Sequence, residues 1–464
     1  MCIRDSPLDH TERRRFTAMP TPAGNVPDHL APTVRRVVYL PVNRPFEAAF
    51  HSVAAEVASL EKSQRDNVTL LVVDDCAPPV SRANRQVTER VARESGLRVH
   101  TLDQQGWRRL ATTLIAASGL TGADRATAQT ALVKPTGSYG AGPNKAALVA
   151  ALEGAVSLHR RDSDQITTVD PDTGASPLRL EADLLSRARP EGGAAAYCAG
   201  SFLTGRPTRD RRDLERDSTE YAARIDALSQ LPSAPARHPP LPPVRERAAL
   251  LGGQHAERDL TGVVEMGIAA MRSVYEWIPE MPAVGILGSD YFQKGLLYQL
   301  DLPVFHHSLP ARHTYESWRT EQRDDSHLAW YVRAEVRYAV LRRHWNSFNH
   351  LLVAERARVL SDGHFDSRAY GELFVEALHE GARGAESIPD DFVAVYRDAA
   401  NAATGEVRRR LLVRLAGLEE ETGAVNAYVA GAIHEFAALS RLWPGLISAA
   451  QRVGRTTALE TFTH

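Results

Sequence analysis

The chain has 464 residues, more than one hydrophobic core normally organises, so two domains or one domain with a large appendage are expected. Its 55 basic and 57 acidic residues leave a formal net charge of -2, which removes a general affinity for nucleic acid, and no apolar run is long enough for a transmembrane helix. Cys2, Cys76 and Cys198 stand apart and are odd in number, which excludes a disulfide framework and a thiolate zinc site, and without an apolar leader the chain reads as cytoplasmic.

Residues 1–31 are Pro-rich and polar, and the opening Met1-Cys2-Ile3-Arg4-Asp5-Ser6 looks like translated adapter, so this stretch is expected to be disordered or artefactual. Val37 to Val42 and Val68 to Val73 are continuous apolar runs, the pattern of strands covered on both faces. Between them Phe46, Phe50, Val53, Val57 and Leu60 recur with a helical period, which makes a βαβ unit. A second helix over Val87 to Ser95 stops at Gly96, and Leu97 to Leu102 gives a third strand of a parallel, doubly wound sheet.

Gly137 to Gly142 lacks the Gly-Lys-Ser/Thr ending of a P-loop and reads as a flexible loop. A helix is predicted to open at Pro143 and run to about Ala155, with Ala147, Leu148, Ala151 and Leu152 on the side that packs on the sheet. Gly154 turns the chain into a short strand, Val156 to Leu158, which delivers Asp162 and Asp164 at its C-terminal end, where open α/β sheets bind ligands. Asp170 and Asp172 near Gly174 read as a turn, and the run 206–217 as a solvated helix face. A Pro-rich loop or linker spans 228–246, Val263 to Tyr275 reads helical, and from about His327 long amphipathic helices follow, such as Ala329 to Leu352 and Glu406 to Leu418. The expected division is 1–31, a ligand-binding unit over 32–320, and a helical C-terminal domain over 321–464 able to serve as an oligomer interface.

Asp162 and Asp164, one residue apart, can face one site and hold a hard divalent cation whose other ligands are phosphate oxygens and water; the alternative is a solvated turn. Four segments then resemble, in order, the nucleotide-sugar half of GT-A fold glycosyltransferases of the family 2 type: Leu40 to Pro45, Val73-Asp74-Asp75, Asn144 to Gly154 and Asp162-Ser163-Asp164. Gly285 to Phe292, Leu296 to Tyr298 and Leu302 to His307 are similar to the acceptor side of that family, and the likeness suggests a bacterial branch of it.

The resemblance implies a GT-A-like, mostly parallel, Rossmann-like sheet with a C-terminal α-helical appendage. It implies transfer of a sugar from a UDP- or GDP-sugar to the hydroxyl of an unknown acceptor, with inversion, aided by Mn²⁺ or Mg²⁺ acting as a Lewis acid on the diphosphate. Asp164 would ligate the metal and Asp162 would contact the ribose or the metal's water. His306 or His307 would complete the coordination and favour Mn²⁺. Asn43 and Asp75 would bind the nucleoside, Lys145 the diphosphate or base, and Arg160 and Arg161 would offset phosphate charge. Asp290 would be the general base, although Ser289 stands where the family often has glutamate.

Structural alternatives stay open for each. Asp74 and Asp75 could cap a helix near Ser81, Lys145 could be an exposed helix lysine, Ser289-Asp290 could be a helix N-cap, and the histidines could be buried at a strand end. Two other functions compete: a nucleotidyltransferase, whose Gly-rich basic loop after the first strand is not matched by Pro41 to Pro45, and a non-catalytic binding protein that uses its helical tail for partner contacts.

Overall fold

The computed structural model describes residues 34–133, 137–186, 196–204, 219–230, 257–259, 262, 264–314, 324–361 and 363–464. The adapter-like N-terminus, the 206–217 run and residues 231–246 of the Pro-rich stretch lie outside the described residues.

Chain order begins with β1 (Arg36–Val42), α1 (Glu47–Ala58), β2 (Val68–Asp74), α2 (Pro78–Ser95), β3 (Val99–Asp103), α3 (Gln104–Ala117), α4 (Gly122–Leu132), α5 (Ala141–Glu153) and β4 (Ser157–Arg161). It continues through β5 (Gln165–Ile166), α6 (Pro177–Ser186), β6 (Cys198–Gly200), β7 (Leu203–Thr204), β8 (Glu257–Arg258), β9 (Ile268–Met271), α7 (Phe292–Gln299), β10 (Val304–His306) and β11 (Ala311–His313). The C-terminal layer is α8 (Asp325–Ala354), α9 (Ser367–Ala385), α10 (Ile388–Ala402), α11 (Gly405–Glu419) and α12 (Val425–Gly454).

The main sheet runs β3-β2-β1-β4-β9-β6-β10-β8. Its first four strands are parallel, β6 and β10 are parallel, and β9 is antiparallel to both β4 and β6. This is the mixed α/β architecture expected, a mostly parallel sheet followed by a helical region. The βαβ unit forms because alternate residues of β1 feed two cores. Val38, Leu40, Leu70 and Val72 pack with Phe50 and Val53 of α1 on one face, while Val37, Tyr39 and Leu71 pack on the other with α5.

Three expectations change. The helix expected over Val263 to Tyr275 is interrupted by the antiparallel strand β9 at Ile268–Met271, and only Val274–Trp277 is helical; a short apolar run with both faces covered carries no periodicity to tell strand from helix. α5 opens at Ala141, two residues before Pro143, and every one of its residues is buried, because α12 lies on the side away from the sheet. A side chain at Gly454 would run into the carbonyl oxygen of Leu152, so the two helices meet backbone to backbone there. Finally, Gly137 to Gly140 is tied down, with Ser138 bridging Val284 and Gly285 N–H donating to the Gly137 carbonyl at 2.9 Å. Asp170 does form a turn, accepting from the Asp172 and Thr173 amides at 3.0 and 2.9 Å.

The outer edge of β3 is closed by the last residues of the chain. Thr101 and His464 exchange both backbone hydrogen bonds at 3.1 Å, and His100 Nδ1 lies 3.0 Å from Thr463 Oγ1. Among the described residues no helix is long and apolar enough to cross a membrane.

Candidate active site

The C-terminal ends of β1, β2 and β4 open on a cleft whose polar lining includes Asn43, Arg44, Asp75, Arg160, Asp162 and Asp164. Each strand delivers its part for a local reason. β1 ends in Pro41-Val42, and the Val42 carbonyl accepts from Asp75 N–H at 2.8 Å, so the loops after β1 and β2 are held side by side. Asp74 turns inward and accepts from Cys76 N–H at 2.9 Å. α2 starts only at Pro78 without a side-chain cap, so neither aspartate is a helix cap.

Lys145 is buried, not an exposed helix lysine. Its ammonium makes a close ion pair with Asp75 and lies 5.8 Å above the Trp107 ring.

Strand alternation splits the two arginines of β4. Arg160 faces the cleft, where its Nε meets Asp162 Oδ1 and its Nη2 meets Asp290 Oδ2, both at 2.7 Å. Arg161 points to the opposite face and is locked between Glu56 at 2.9 Å and Glu181 at 3.0 Å. Its expected role against phosphate is therefore corrected: both sides of its guanidinium are occupied by buried carboxylates, and it does not line the cleft.

After β4 the chain turns so that both carboxylates of the aspartate pair face the cleft, with side chains 24% and 16% exposed. Asp162 N–H donates to the Gly267 carbonyl at 3.1 Å, and the Asp164 carbonyl accepts from Thr314 N–H at 2.7 Å and from its hydroxyl at 2.9 Å. Desolvation raises the Asp162 carboxyl above the usual range despite Arg160, and the neighbouring Asp164 charge adds to the rise. Desolvation pushes Asp164 the same way, but His313 and Arg44 outweigh it and hold that carboxyl low. Arg44 Nη1 is 3.2 Å and His313 Nε2 is 3.6 Å from Asp164 Oδ2.

His306 and His307 were the expected metal histidines, and neither lines the cleft. His307 Nε2 instead lies 3.7 Å from Glu181, on the Arg161 side, and both are buried at the end of β10. The histidine brought to the aspartates is His313. It sits on β11, which pairs antiparallel with β5 in the register His313–Gln165, and β5 directly follows the aspartate pair. No motif marks it; only the pairing of two very short strands finds it.

Asp290 is buried beside the cleft and reached through Arg160, which links it to Asp162. It is not the N-cap of α7. The Phe292 and Gln293 amides donate instead to the Glu280 carboxylate, at 2.7 and 3.2 Å. Burial and the nearby Asp290 charge push the Glu280 carboxyl well above the ordinary glutamate range. Glu280 is in turn seated by Asn144, whose side-chain amide pairs with the Glu280 backbone N–H and carbonyl at 2.6 and 2.8 Å.

Among the described residues no group of three or more His, Cys, Asp or Glu side chains stands ready-made around a metal position. In the cleft the two carboxylates, with the His313 imidazole beside Asp164, are donors of the type that suits Mn²⁺ or Mg²⁺ completed by phosphate oxygens.

A family model described as a family of unknown function, DUF6271, matches residues 35–211 and 259–459. The chain belongs to that family. No curated protein matches the sequence of this DUF6271 member. Among solved structures it is similar to a mannosyltransferase from Pyrobaculum calidifontis in complex with GDP-Man and Mn²⁺, at 14% identity and TM-score 0.33 over 89% of this chain and 88% of that one. It is also similar to S. aureus TarS 1-349 in complex with UDP-GlcNAc, at 10% identity and TM-score 0.34 over 84% and 91%. A third is glucosyl-3-phosphoglycerate synthase from Mycobacterium tuberculosis, at 17% identity and TM-score 0.32 over 68% and 84%.

Proposed function

We propose that this DUF6271 member is a metal-dependent glycosyltransferase that moves a sugar from a nucleotide-diphosphate sugar to an acceptor hydroxyl with inversion. One observation carries the reading: a cleft at the C-terminal ends of parallel strands presents the Asp162/Asp164 pair, and a single arginine, Arg160, joins Asp162 to Asp290.

Asp162, Asp164 and His313 would hold a Mn²⁺ or Mg²⁺ ion, whose charge offsets that on the departing diphosphate. The chain's own residues do the rest. Asn43 and Asp75 hydrogen-bond the nucleoside at the ends of β1 and β2, and Lys145 holds the Asp75 carboxylate in place by a close ion pair. Arg160 fixes the Asp290 carboxylate by a 2.7 Å ion pair. Asp290 accepts the proton of the acceptor hydroxyl as that oxygen bonds to the anomeric carbon and the bond from that carbon to the diphosphate oxygen breaks. Attack from the Asp290 side, opposite the leaving group, inverts the configuration.

The test is thermal stabilisation of wild type and Asp164→Ala by UDP-sugars, GDP-sugars and free nucleotides, with Mn²⁺ or with chelator. A donor at about 100 times its dissociation constant should add about 2.7 kcal/mol, lost with chelator and lost in Asp164→Ala. Stabilisation by no nucleotide, or stabilisation indifferent to both metal and Asp164, refutes the reading.

A further inference from the structure

Past Asp75 the cleft widens into a second depression on the β2–β3 side. Its floor comes from Cys76 and Pro78 after β2 and Gln104 after β3, and its far wall from His327, Trp330 and Tyr331 in the first turns of α8. Trp330 and Tyr139 line both depressions. The sheet order puts β2 and β3 on the side of β1 away from β4, hence away from Arg160 and Asp290.

A nucleotide sugar is charged in the middle, with a sugar at one end and a flat heteroaromatic base at the other. With its diphosphate at Asp162 and Asp164 and its sugar towards Asp290, its base must extend towards β2 and β3. There aromatic side chains join the charged ones: Tyr139, Trp330 and Tyr331 stand among Asp75, Arg333 and Arg337. Trp330 is partly exposed, and the Asp75 carboxylate and Gln104 amide are two of the polar groups lining this depression that a base edge or ribose would meet.

This wall is also held rigidly against the rest of the cleft. Arg337 stacks on Tyr428, at 4.1 Å from the ring centre, and pairs closely with Glu421. The Tyr428 hydroxyl donates to the Val284 carbonyl at 2.6 Å, and residues 284–285 bond to Gly137 and Ser138 beside Tyr139. The aromatic surfaces from α8 and from the Gly137 to Gly140 loop are thus fixed relative to each other before any ligand arrives, which lowers the ordering cost of binding.

We infer that the C-terminal helical layer supplies the nucleobase wall of the donor site, with Trp330 as the stacking residue and a nucleoside diphosphate as the minimal ligand. The inference rests on the glycosyltransferase reading. It gives the helical layer a part in donor recognition, a part the sequence assigns only to the sheet.

Titration calorimetry of the full chain with GDP, UDP and inorganic pyrophosphate, each with Mn²⁺, tests it in wild type, Trp330→Ala and Trp330→Phe of matched melting behaviour. The expected result is that Trp330→Ala weakens the bound nucleoside diphosphate about tenfold, the size of one base–aromatic stack, while Trp330→Phe stays within about threefold and pyrophosphate binding is unchanged. Nucleoside diphosphate binding that needs Asp164 but ignores Trp330→Ala overturns this inference and leaves the glycosyltransferase reading standing. Equal weakening of pyrophosphate and nucleoside diphosphate also overturns it, because the loss would not concern the base. Failure of wild type to bind either nucleoside diphosphate removes the reading and the inference together.

Discussion

Asp162 sits over a glycine. A Cβ built on Gly267 would approach Asp162 Oδ2 to 2.6 Å and collide with the Gln165 side-chain amide. Gly267→Ala should therefore cost about 1–3 kcal/mol of stability, yet displace the carboxylate enough to lower donor-dependent turnover by about 10²-fold, so that melting and kinetics diverge. Behind the same loop, Arg161 is clamped by Glu56 and Glu181, and His159 Nδ1 lies 2.7 Å from Glu181. Removing Arg161 leaves two buried carboxylates without their cation, and Arg161→Ala should lose roughly 3–5 kcal/mol in denaturant unfolding. The aspartate pair was legible in the sequence because its spacing is local. Arg161, His307 and His313 were not, because which face a strand residue takes depends on pairings set elsewhere in the chain. An arginine next to two aspartates looks like a phosphate ligand until Glu56 and Glu181 are seen to meet it.

At the level of elements, Glu280 joins three pieces. Asn144 of α5 holds its backbone, its carboxylate caps α7, and α7 begins two residues after Asp290. Glu280→Ala should lower stability by about 1–2 kcal/mol, the cost of a lost cap, and should lower turnover through Asp290 as well. Glu280→Gln, which keeps one acceptor oxygen, should lose less of both, as melting and steady-state kinetics would show. The βαβ unit and the long C-terminal helices were readable because their apolar periods run over many residues. The cap was not, since its acceptor lies twelve residues upstream of the amide it satisfies. β9 was misread for a related reason: four buried apolar residues fit a strand or a helix, and only pairing with β4 and β6 decides.

Across the whole molecule, the sheet, α5 and α12 share one continuous core, from Tyr39 and Leu71 through Leu148 to Phe436 and Trp443. Val429, Ile433, Phe436, Leu439, Trp443 and Leu446 of α12 are all at 0% exposure, and at about 1.5–3 kcal/mol each their burial rivals the entire stability of a typical domain, about 5–15 kcal/mol. A chain ending at Thr314 should therefore lack a cooperative thermal transition by circular dichroism. His344 of α8 reports on the same layer. Burial lowers its pKa to about 4 from an ordinary 6.5, so its contribution is fully present above 6.5 and is lost as pH falls towards 4, where the unfolded chain binds the proton first. Unfolding free energies measured from pH 7 to 4 should fall more steeply for wild type than for His344→Gln, by at most about 1.4 kcal/mol per pH unit. The closure of β3 by Thr101 and His464 has a kinetic side. His100 and Thr463 are 363 positions apart, so until residues 463–464 have docked, β3 exposes an open β-edge that any neighbouring chain can pair with. Refolding yield should consequently fall as protein concentration rises, with the lost material aggregated through that edge.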